Sequence, residues 1–288
     1  MMRQVGKAAA VLLALLAVSS LAPPSAQAQE LQITGPLAGA PAVRRLRLRR
    51  DSRFDVAPAV SFTLLDEYRR TIMPGLRATY HFTDWLGAGL FGGYGFQYNA
   101  SLTDELQAKA IDDRNCQNNP HTLPCKRSAV SLCRGSECLA DKQLARLQWL
   151  LVPQVTFIPF RGKVSLFSVL FVDTDISIFL GPAIVGLQQR KDCAEGTCAQ
   201  DSAFELESGV TVSPSGGMGL NFYPSDFISF GAELRLLPYS WNTSGFDVSG
   251  PNDVPDNVID GDDRAFQFNS MLTVFVGVQL PTAVVVSD

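Results

Sequence analysis

The chain has 288 residues, of which 46% are hydrophobic and only 18% are charged, and its formal net charge is −4. This weakly acidic balance gives no reason to expect nucleic acid as a partner. Beyond residues 1–28, no uncharged apolar stretch reaches the roughly 18 residues that a membrane-spanning helix needs. A chain this apolar must either bury a large core or expose alternate residues to lipid.

Residues 1–28 have the pattern of a secretory signal peptide. Arg3 and Lys7 supply the basic start, a short apolar stretch follows, and Ala26 and Ala28 form a small-x-small cleavage motif. An uncleaved membrane anchor is the alternative, but the apolar stretch is short for a spanning helix. We therefore expect an exported protein.

Residues 29–50 are predicted to form a basic periplasmic segment. Its arginines either contact anionic phospholipid headgroups or the cell wall, or form a solvated lead-in to the first strand. They are Arg44, Arg45, Arg47, Arg49 and Arg50.

Eight later segments alternate apolar residues with small, polar or charged ones. Successive side chains of a strand point to opposite faces, so this alternation predicts a two-faced sheet. Apart from Arg70 at the start of the second segment, no charged residue falls on the apolar parity, where an Arg or Lys facing lipid would cost about 2–4 kcal/mol. The prediction is an all-β, eight-stranded antiparallel transmembrane β-barrel over residues 51–281, followed by a periplasmic tail, 282–288. The segments are 53–64, 70–82, 85–98, 146–160, 174–188, 207–222, 227–241 and 265–280.

Charged residues of both signs lie on the other parity, which would face the barrel interior. An eight-stranded barrel has just enough interior for side chains to fill it, so we expect these charges to pair. Glycines on the same parity of the third segment could open a local cavity. The candidate interior ion-pair residues are Asp55, Arg77, Asp175, Glu207, Glu233 and Arg235.

Connection lengths predict which end of the barrel faces outward. The turns near 83–84 and 223–226, at one end of the barrel, are short. The connections 99–145, 189–206 and 242–264, at the other end, are long. Bacterial barrels have short periplasmic turns and long extracellular loops, so the long connections are predicted to face outward. The inner connection 161–173 is apolar, and we expect a short amphipathic element along the inner interface. Prolines inside the segments oppose regular strand pairing and suggest bulges. They are Pro58, Pro74, Pro153, Pro182 and Pro214.

Several short motifs resemble known small outer-membrane barrels. They are the stretch from Ile33 to Leu48, Phe62-Thr-Leu-Leu-Asp-Glu-Tyr68, Tyr80-His-Phe-Thr-Asp-Trp-Leu86 and Tyr239-Ser-Trp-Asn-Thr-Ser. The chain resembles the outer membrane protein A, X and W type, and is more specifically similar to the outer membrane β-barrel domain proteins of myxobacteria. The resemblance implies a barrel in the bacterial outer membrane, with membrane lipid and the barrel-assembly machinery as partners. It implies no substrate.

All six cysteines lie in two of the predicted outer loops. Six cysteines allow 15 pairings, and the oxidising periplasm favours disulfides. Cys193 with Cys198 is the favoured single pair, because no other cysteine is near in sequence. Metal binding is the weaker alternative, since no Cys-x-x-Cys spacing occurs. The cysteines are Cys116, Cys125, Cys133, Cys138, Cys193 and Cys198.

Other chemistry has little support in the sequence. The acidic loop around Asp247 to Asp263 lacks the spacing of a twelve-residue calcium loop, so a solvated loop is favoured. The two histidines, His81 and His121, have no evident nucleophile or carboxylate partner. We predict no enzymatic activity and no cofactor.

The sequence therefore predicts a monomeric outer-membrane barrel with a structural or surface-interaction role. The first alternative is a narrow pore for small or apolar solutes, and the second is a soluble ligand-binding barrel with its apolar parity turned inward. A continuous water path through the interior would favour the pore. A closed Arg77–Glu233–Arg235 ion-pair plug would favour the scaffold.

Overall fold

A computed structural model describes residues 50–64, 66–105, 133–134, 137–138, 143–166, 170–198, 205–248, 256 and 258–282. The predicted signal peptide, Arg44, Arg45, Arg47, Arg49, Cys116, Cys125, His121 and residues 283–288 lie outside them. The strands are β1 (Arg53–Thr63), β2 (Arg69–His81), β3 (Leu86–Tyr94), β4 (Phe96–Asn99), β5 (Cys133–Arg134), β6 (Glu137–Cys138), β7 (Arg146–Leu166), β8 (Leu170–Arg190), β9 (Leu206–Tyr223), β10 (Ile228–Trp241) and β11 (Ala265–Leu280).

The main sheet closes on itself. Strand β1 pairs antiparallel with β2 on one side and with β11 on the other. Strands β3 and β4 act as one strand interrupted at Gly95, whose N–H donates to the Gln148 carbonyl at 2.6 Å. The eight-stranded antiparallel barrel predicted from the sequence is therefore confirmed. Among the described residues, no helix is long and apolar enough to cross a membrane.

Side chains alternate between the two faces of the barrel wall as the parity predicts. On β11, Thr273 and Phe275 are buried, whereas Val274 and Val276 are exposed. In the predicted segment 146–160 the odd-numbered residues, such as Leu147 and Leu151, have the apolar parity and are expected on the outer face, and this is wrong at Leu147, which is buried. A register shift in the β7–β8 ladder between Leu147 and Trp149 reverses the side of the residues beyond it.

The barrel interior has two layers. Toward the long connections, the inward side chains are mainly apolar and include Leu150, Val185 and Leu237; toward the short turns they are mainly polar. The inward glycines Gly93 and Gly217 do not open a local cavity. A Cβ on Gly93 would lie 2.6 Å from Met73 Cγ, and one on Gly217 would lie 2.6 Å from the Phe179 ring, so neighbouring side chains already occupy that space.

The connection 161–173 differs from the prediction of an amphipathic element along the interface. Strands β7 and β8 instead continue as a two-stranded hairpin. Their register places Arg161 opposite Asp175 and Lys163 opposite Asp173. Lys163 Nζ lies 3.5 Å from Asp173 Oδ1, and opposite charges directly across a ladder stabilise it.

Four prolines lie in one row across β7, β8, β9 and β10. Pro182 is paired with Pro214, and the neighbouring registers place Pro153 beside Pro182 and Pro238 beside Pro214. The β7–β8 ladder is interrupted between the Leu151–Ile184 and Val155–Leu180 pairs, and the β9–β10 ladder ends at Gly216 and Leu236. Because proline has no N–H, the row removes ladder hydrogen bonds on both sides of the β8–β9 hairpin.

Candidate functional site

The centre of the polar layer is an ion-pair network around Arg77. Its guanidinium donates to Glu233 Oε1 and, at 3.3 Å, to Asp55 Oδ1. The other oxygen of Asp55 accepts from the Ser229 hydroxyl at 3.1 Å. The Arg77 guanidinium carbon lies 3.7 Å from the centre of the Phe275 ring. Both carboxylates are thus paired and hydrogen-bonded, which is the condition for stable charges away from water.

A second arginine, Arg235, closes the barrel next to this network. It lies 3.5 Å from Glu233 Oε2 and donates to Gln154 Oε1 at 2.7 Å and to the Ser215 hydroxyl at 3.1 Å. Its guanidinium carbon stands 5.0 Å from the centre of the Phe91 ring and 4.4 Å from that of Phe179. Glu233 therefore receives two arginines, and the guanidinium between two rings fills the cross-section.

Arg50 occupies the inner mouth, the end of the barrel with the short turns. Its side chain is 1% exposed, pairs with Asp175, and lies 4.4 Å from the centre of the Tyr223 ring. Its backbone N–H donates to Asp84 Oδ1 at 2.8 Å. Asp175 also accepts from the Asn221 amide at 2.6 Å. The prediction of a headgroup contact or a solvated lead-in is wrong for Arg50, because a buried carboxylate draws its side chain inside.

One small cavity lies between Arg50 and the Arg77 network. Its volume is about 20 Å³, and its lining is largely polar, including His81, Thr156 and Asn221. That volume admits about one water molecule. It is too small for a solute, and described side chains bound it on both sides.

The outer mouth, at the opposite end, is crossed by the chain that follows β10. The Thr243 carbonyl accepts from Ala145 N–H at 3.1 Å, so this segment reaches the start of β7. Arg190, at the end of β8, donates to the Gly245 carbonyl at 3.0 Å and to the Cys198 carbonyl at 2.8 Å. These contacts join three outer connections over the apolar layer.

The acidic loop uses its carboxylates to organise its own backbone. Asp263 accepts from the Val248 N–H at 2.8 Å and from the Asp260 N–H at 3.1 Å, and Asp260 caps a short 3₁₀ turn. Within the described part of the chain, no three His, Cys, Asp or Glu side chains lie together as metal ligands would.

Cys193 and Cys198 form a disulfide, the pair that the sequence favoured. Two further backbone hydrogen bonds of 3.0 Å join Cys193 to Ile259, so this loop is tied to the acidic loop. The backbone register of the short β5–β6 ladder pairs Cys133 with Cys138.

Of the predicted interior charges, Glu207 is the exception. Asp55, Arg77, Glu233 and Arg235 meet in the network, and Asp175 lies at the inner mouth. Glu207 is exposed near the outer end of β9, so its prediction as an interior ion-pair residue is wrong. Its parity is inward, but the β8–β9 hairpin carries it beyond the filled interior.

The hydrogen-bond partners of these charges were not predicted from the sequence. Gln154, Ser215 and Asn221 share the inward parity, and parity alone could have nominated them. The three rings against the arginines also lie on the inward parity. The signal for them in the sequence is an aromatic residue among small residues on the inward parity. The rings are Phe91, Phe179 and Phe275.

Comparisons with known proteins give weak structural similarities. No family model matches the chain, and no curated protein matches its sequence. The N-terminal β-barrel domain of Pseudomonas aeruginosa OprF is similar at 9% identity and a TM-score of 0.40, covering 80% of this chain and 98% of that one. Pseudomonas aeruginosa OprG is similar at 12% identity and a TM-score of 0.42, covering 81% of this chain and 97% of that one. The attachment invasion locus protein Ail of Yersinia pestis is similar at 10% identity and a TM-score of 0.33, covering 80% of this chain and 99% of that one. These values are low, so function has to rest on the chain's own geometry, and the resemblance to the myxobacterial family stays a prediction.

Proposed function

We propose that this chain is an integral outer-membrane barrel that works as a closed scaffold and presents disulfide-braced loops for interactions at the cell surface. The observation that carries the scaffold role is the closed interior. Arg235 and Glu233 fill the middle of the barrel, Arg50 fills the inner mouth, and the segment around Thr243 crosses the outer mouth.

The outer face of the wall supports the membrane placement. Its exposed side chains are large and apolar around the whole ring, and an apolar surface of this extent marks a membrane or protein contact. Examples from different strands are Phe54, Leu76, Leu90, Val155, Ile178, Leu220, Leu234 and Val276.

Aromatic pairs at both ends of the wall support the same placement. Trp85 and Phe157 pack edge to face at 5.8 Å near the short turns, and Phe266 and Phe268 do so at 5.3 Å near the long connections. Aromatic girdles at two levels are typical of barrels that cross a bilayer. The soluble barrel is disfavoured because its apolar parity would have to point inward.

The orientation and the partners follow from this proposal. With the short turns in the periplasm, the long connections and the Cys193–Cys198 loop face outward. Export requires residues 1–28 to act as a signal peptide, and insertion requires the barrel-assembly machinery. Arg44, Arg45, Arg47 and Arg49 then lie on the periplasmic side, where anionic headgroups are their proposed contacts. We further propose that the barrel is monomeric and has no enzymatic activity.

The narrow pore is the second candidate, favoured by the polar cavity that lies directly behind Arg50. It requires Arg50 and Arg235 to leave their positions and the segment around Thr243 to uncover the outer mouth. Single-channel recording in planar bilayers separates the two functions. We expect no steady current from the wild-type chain, and a sizeable steady conductance would overturn the closed scaffold.

Membrane placement has its own test. We expect the protein in the outer-membrane fraction, with a heat-dependent mobility on detergent gels that reports unfolding of the barrel. Recovery in the soluble fraction would refute the placement.

A further inference from the structure

Arg70 is the only charged residue on the apolar parity of the eight predicted segments. On β2, its neighbours Arg69 and Thr71 are buried, whereas Arg70 itself is exposed, so its side chain lies on the outer face of the wall. A charge on the lipid-facing side of a barrel is unfavourable unless it reaches water or an opposite charge. The height of Arg70 along the barrel therefore decides what its guanidinium can contact.

The register places Arg70 on the water side of the outer aromatic girdle. The β2–β4 ladder pairs Ile72 with Phe96, whose ring packs edge to face on that of Tyr94 at 5.6 Å. The next outward pair of the same ladder is Arg70 with Tyr98, about 7 Å further along the strands. Aromatic girdles lie at the level of the lipid headgroups. A guanidinium just outward of the girdle is therefore at the height of the lipid phosphates.

Tyr98 adds a second polar group next to this guanidinium. Its side chain is 47% exposed on the same outer face, and residues directly opposite in a ladder have Cβ atoms about 5 Å apart. The guanidinium has five N–H donors and the phenol has one O–H donor. Arginine binds phosphate oxygens with two parallel hydrogen bonds, and the phenol can donate a third.

The carboxylates closest in sequence do not neutralise Arg70. Asp66 and Glu67 precede the start of β2, so they lie in the turn on the water side of the strand. Asp66 is half-buried beside Thr63, and Glu67 is exposed. Within the described residues, Arg70 forms no ion pair with a carboxylate. Its charge is therefore open to an anion at the membrane surface.

We propose that Arg70 and Tyr98 bind the phosphate group of a lipid in the outer leaflet. The inference rests on the proposed outer-membrane placement and names the lipid group that this part of the wall contacts. A phosphate monoester carries a charge of about −1.5 to −2 near pH 7, whereas a diester carries a single charge. Because attraction to the guanidinium grows with that charge, the site favours a lipid with a phosphate monoester.

The test measures lipid binding to the protein in detergent micelles by native mass spectrometry. The probes are phosphatidic acid, which is a monoester, phosphatidylglycerol, which is an anionic diester, and phosphatidylcholine, which has no net charge. We expect affinity to fall in this order. Equal affinity for phosphatidic acid and phosphatidylcholine would overturn the proposal.

Arg70→Gln tests the site directly, and the loss that it causes separates this site from any binding by the basic N-terminal segment. It removes the charge, so phosphatidic acid should bind about tenfold more weakly to this site. Tyr98→Phe keeps the ring and removes the hydroxyl, and we expect a smaller loss. Arg70→Lys keeps the charge and should restore part of the affinity.

Arg264→Gln is the matched control, because it makes the same change in net charge away from the wall. Arg264 lies in an outer connection, where its guanidinium is 3.0 Å from Asp192 Oδ1. We expect this variant to bind phosphatidic acid like the wild type. Equal affinities of Arg70→Gln and the wild type, or equal losses in Arg70→Gln and Arg264→Gln, would refute a phosphate site at Arg70.

The lipid-binding assay and the tests of the proposed function fail separately. Protein in detergent micelles retains or loses the lipid whatever its conductance. A steady current would refute the closed scaffold and leave the measurement on Arg70 intact. A lack of preference for phosphate monoesters would refute the lipid site and leave the closed interior intact.

Discussion

Replacing Glu233 with glutamine should destabilise the barrel strongly, because this one carboxylate holds two buried arginines. At the 3.5 Å separation from Arg235 and an effective dielectric of about 20, a single charge contact amounts to roughly 5 kcal/mol before desolvation is counted. Removing one partner of a buried pair typically costs about 3–5 kcal/mol. Glu233→Gln keeps the shape and removes the charge, so we expect a loss of about 3–5 kcal/mol.

A double variant supplies the control for Glu233→Gln. Adding Arg235→Met removes the second charge and leaves Arg77 paired with Asp55. Methionine also suits the site between two aromatic rings. We expect the double variant to recover most of the lost free energy of unfolding, measured by urea titration in lipid vesicles and followed by tryptophan fluorescence. A loss below about 1 kcal/mol for Glu233→Gln, or additive losses in the double variant, would refute the reasoning.

Three further changes test the two mouths and an outer loop. Arg50→Ala should lower the free energy of unfolding by about 3–5 kcal/mol, because it leaves the buried carboxylate partner of Arg50 unpaired. As a control, Arg70→Ala at an exposed residue should lower it by less than about 0.5 kcal/mol in the same titration. Equal losses in the two variants would contradict the buried position of Arg50. Asp66 lies in the turn between β1 and β2, at the outer mouth. Burial raises the pKa of Asp66 to about 6, so the free energy of unfolding should fall as the pH rises from about 4 to about 6, and Asp66→Asn should remove that slope in unfolding measured across this range. Replacing both Cys193 and Cys198 with serine should speed hydrogen exchange across their loop and change the free energy of unfolding of the barrel by no more than about 1 kcal/mol. Unchanged exchange would show that the disulfide does not brace the loop.

Parity predicts the strands of this chain well because a half-apolar wall repeats every two residues. Predicted segment 265–280 coincides with β11, and the other segments differ from their strands mainly at the ends. Parity identifies the face of a residue but carries no information on its height along the barrel axis. Glu207 has the right parity and the wrong height, which explains its failure as an interior charge.

Contacts between strands escape prediction because they depend on registers that the sequence leaves open. The in-strand prolines were visible in the sequence, but their alignment in a row emerges only when β7, β8, β9 and β10 are paired. The same holds for Arg50, whose partner Asp175 is distant in the sequence. A bulge near Leu147 adds a local change of face that no alternation pattern shows.

The charge network also constrains the order in which the barrel can be completed. Asp55 lies on the first strand, Arg77 on the second and Glu233 on β10, near the end of the wall. The two basic and two acidic groups of the network balance only when early and late strands lie side by side. An unclosed sheet would leave these charges to water, so the interior can dry only after the seam between β1 and β11 has formed.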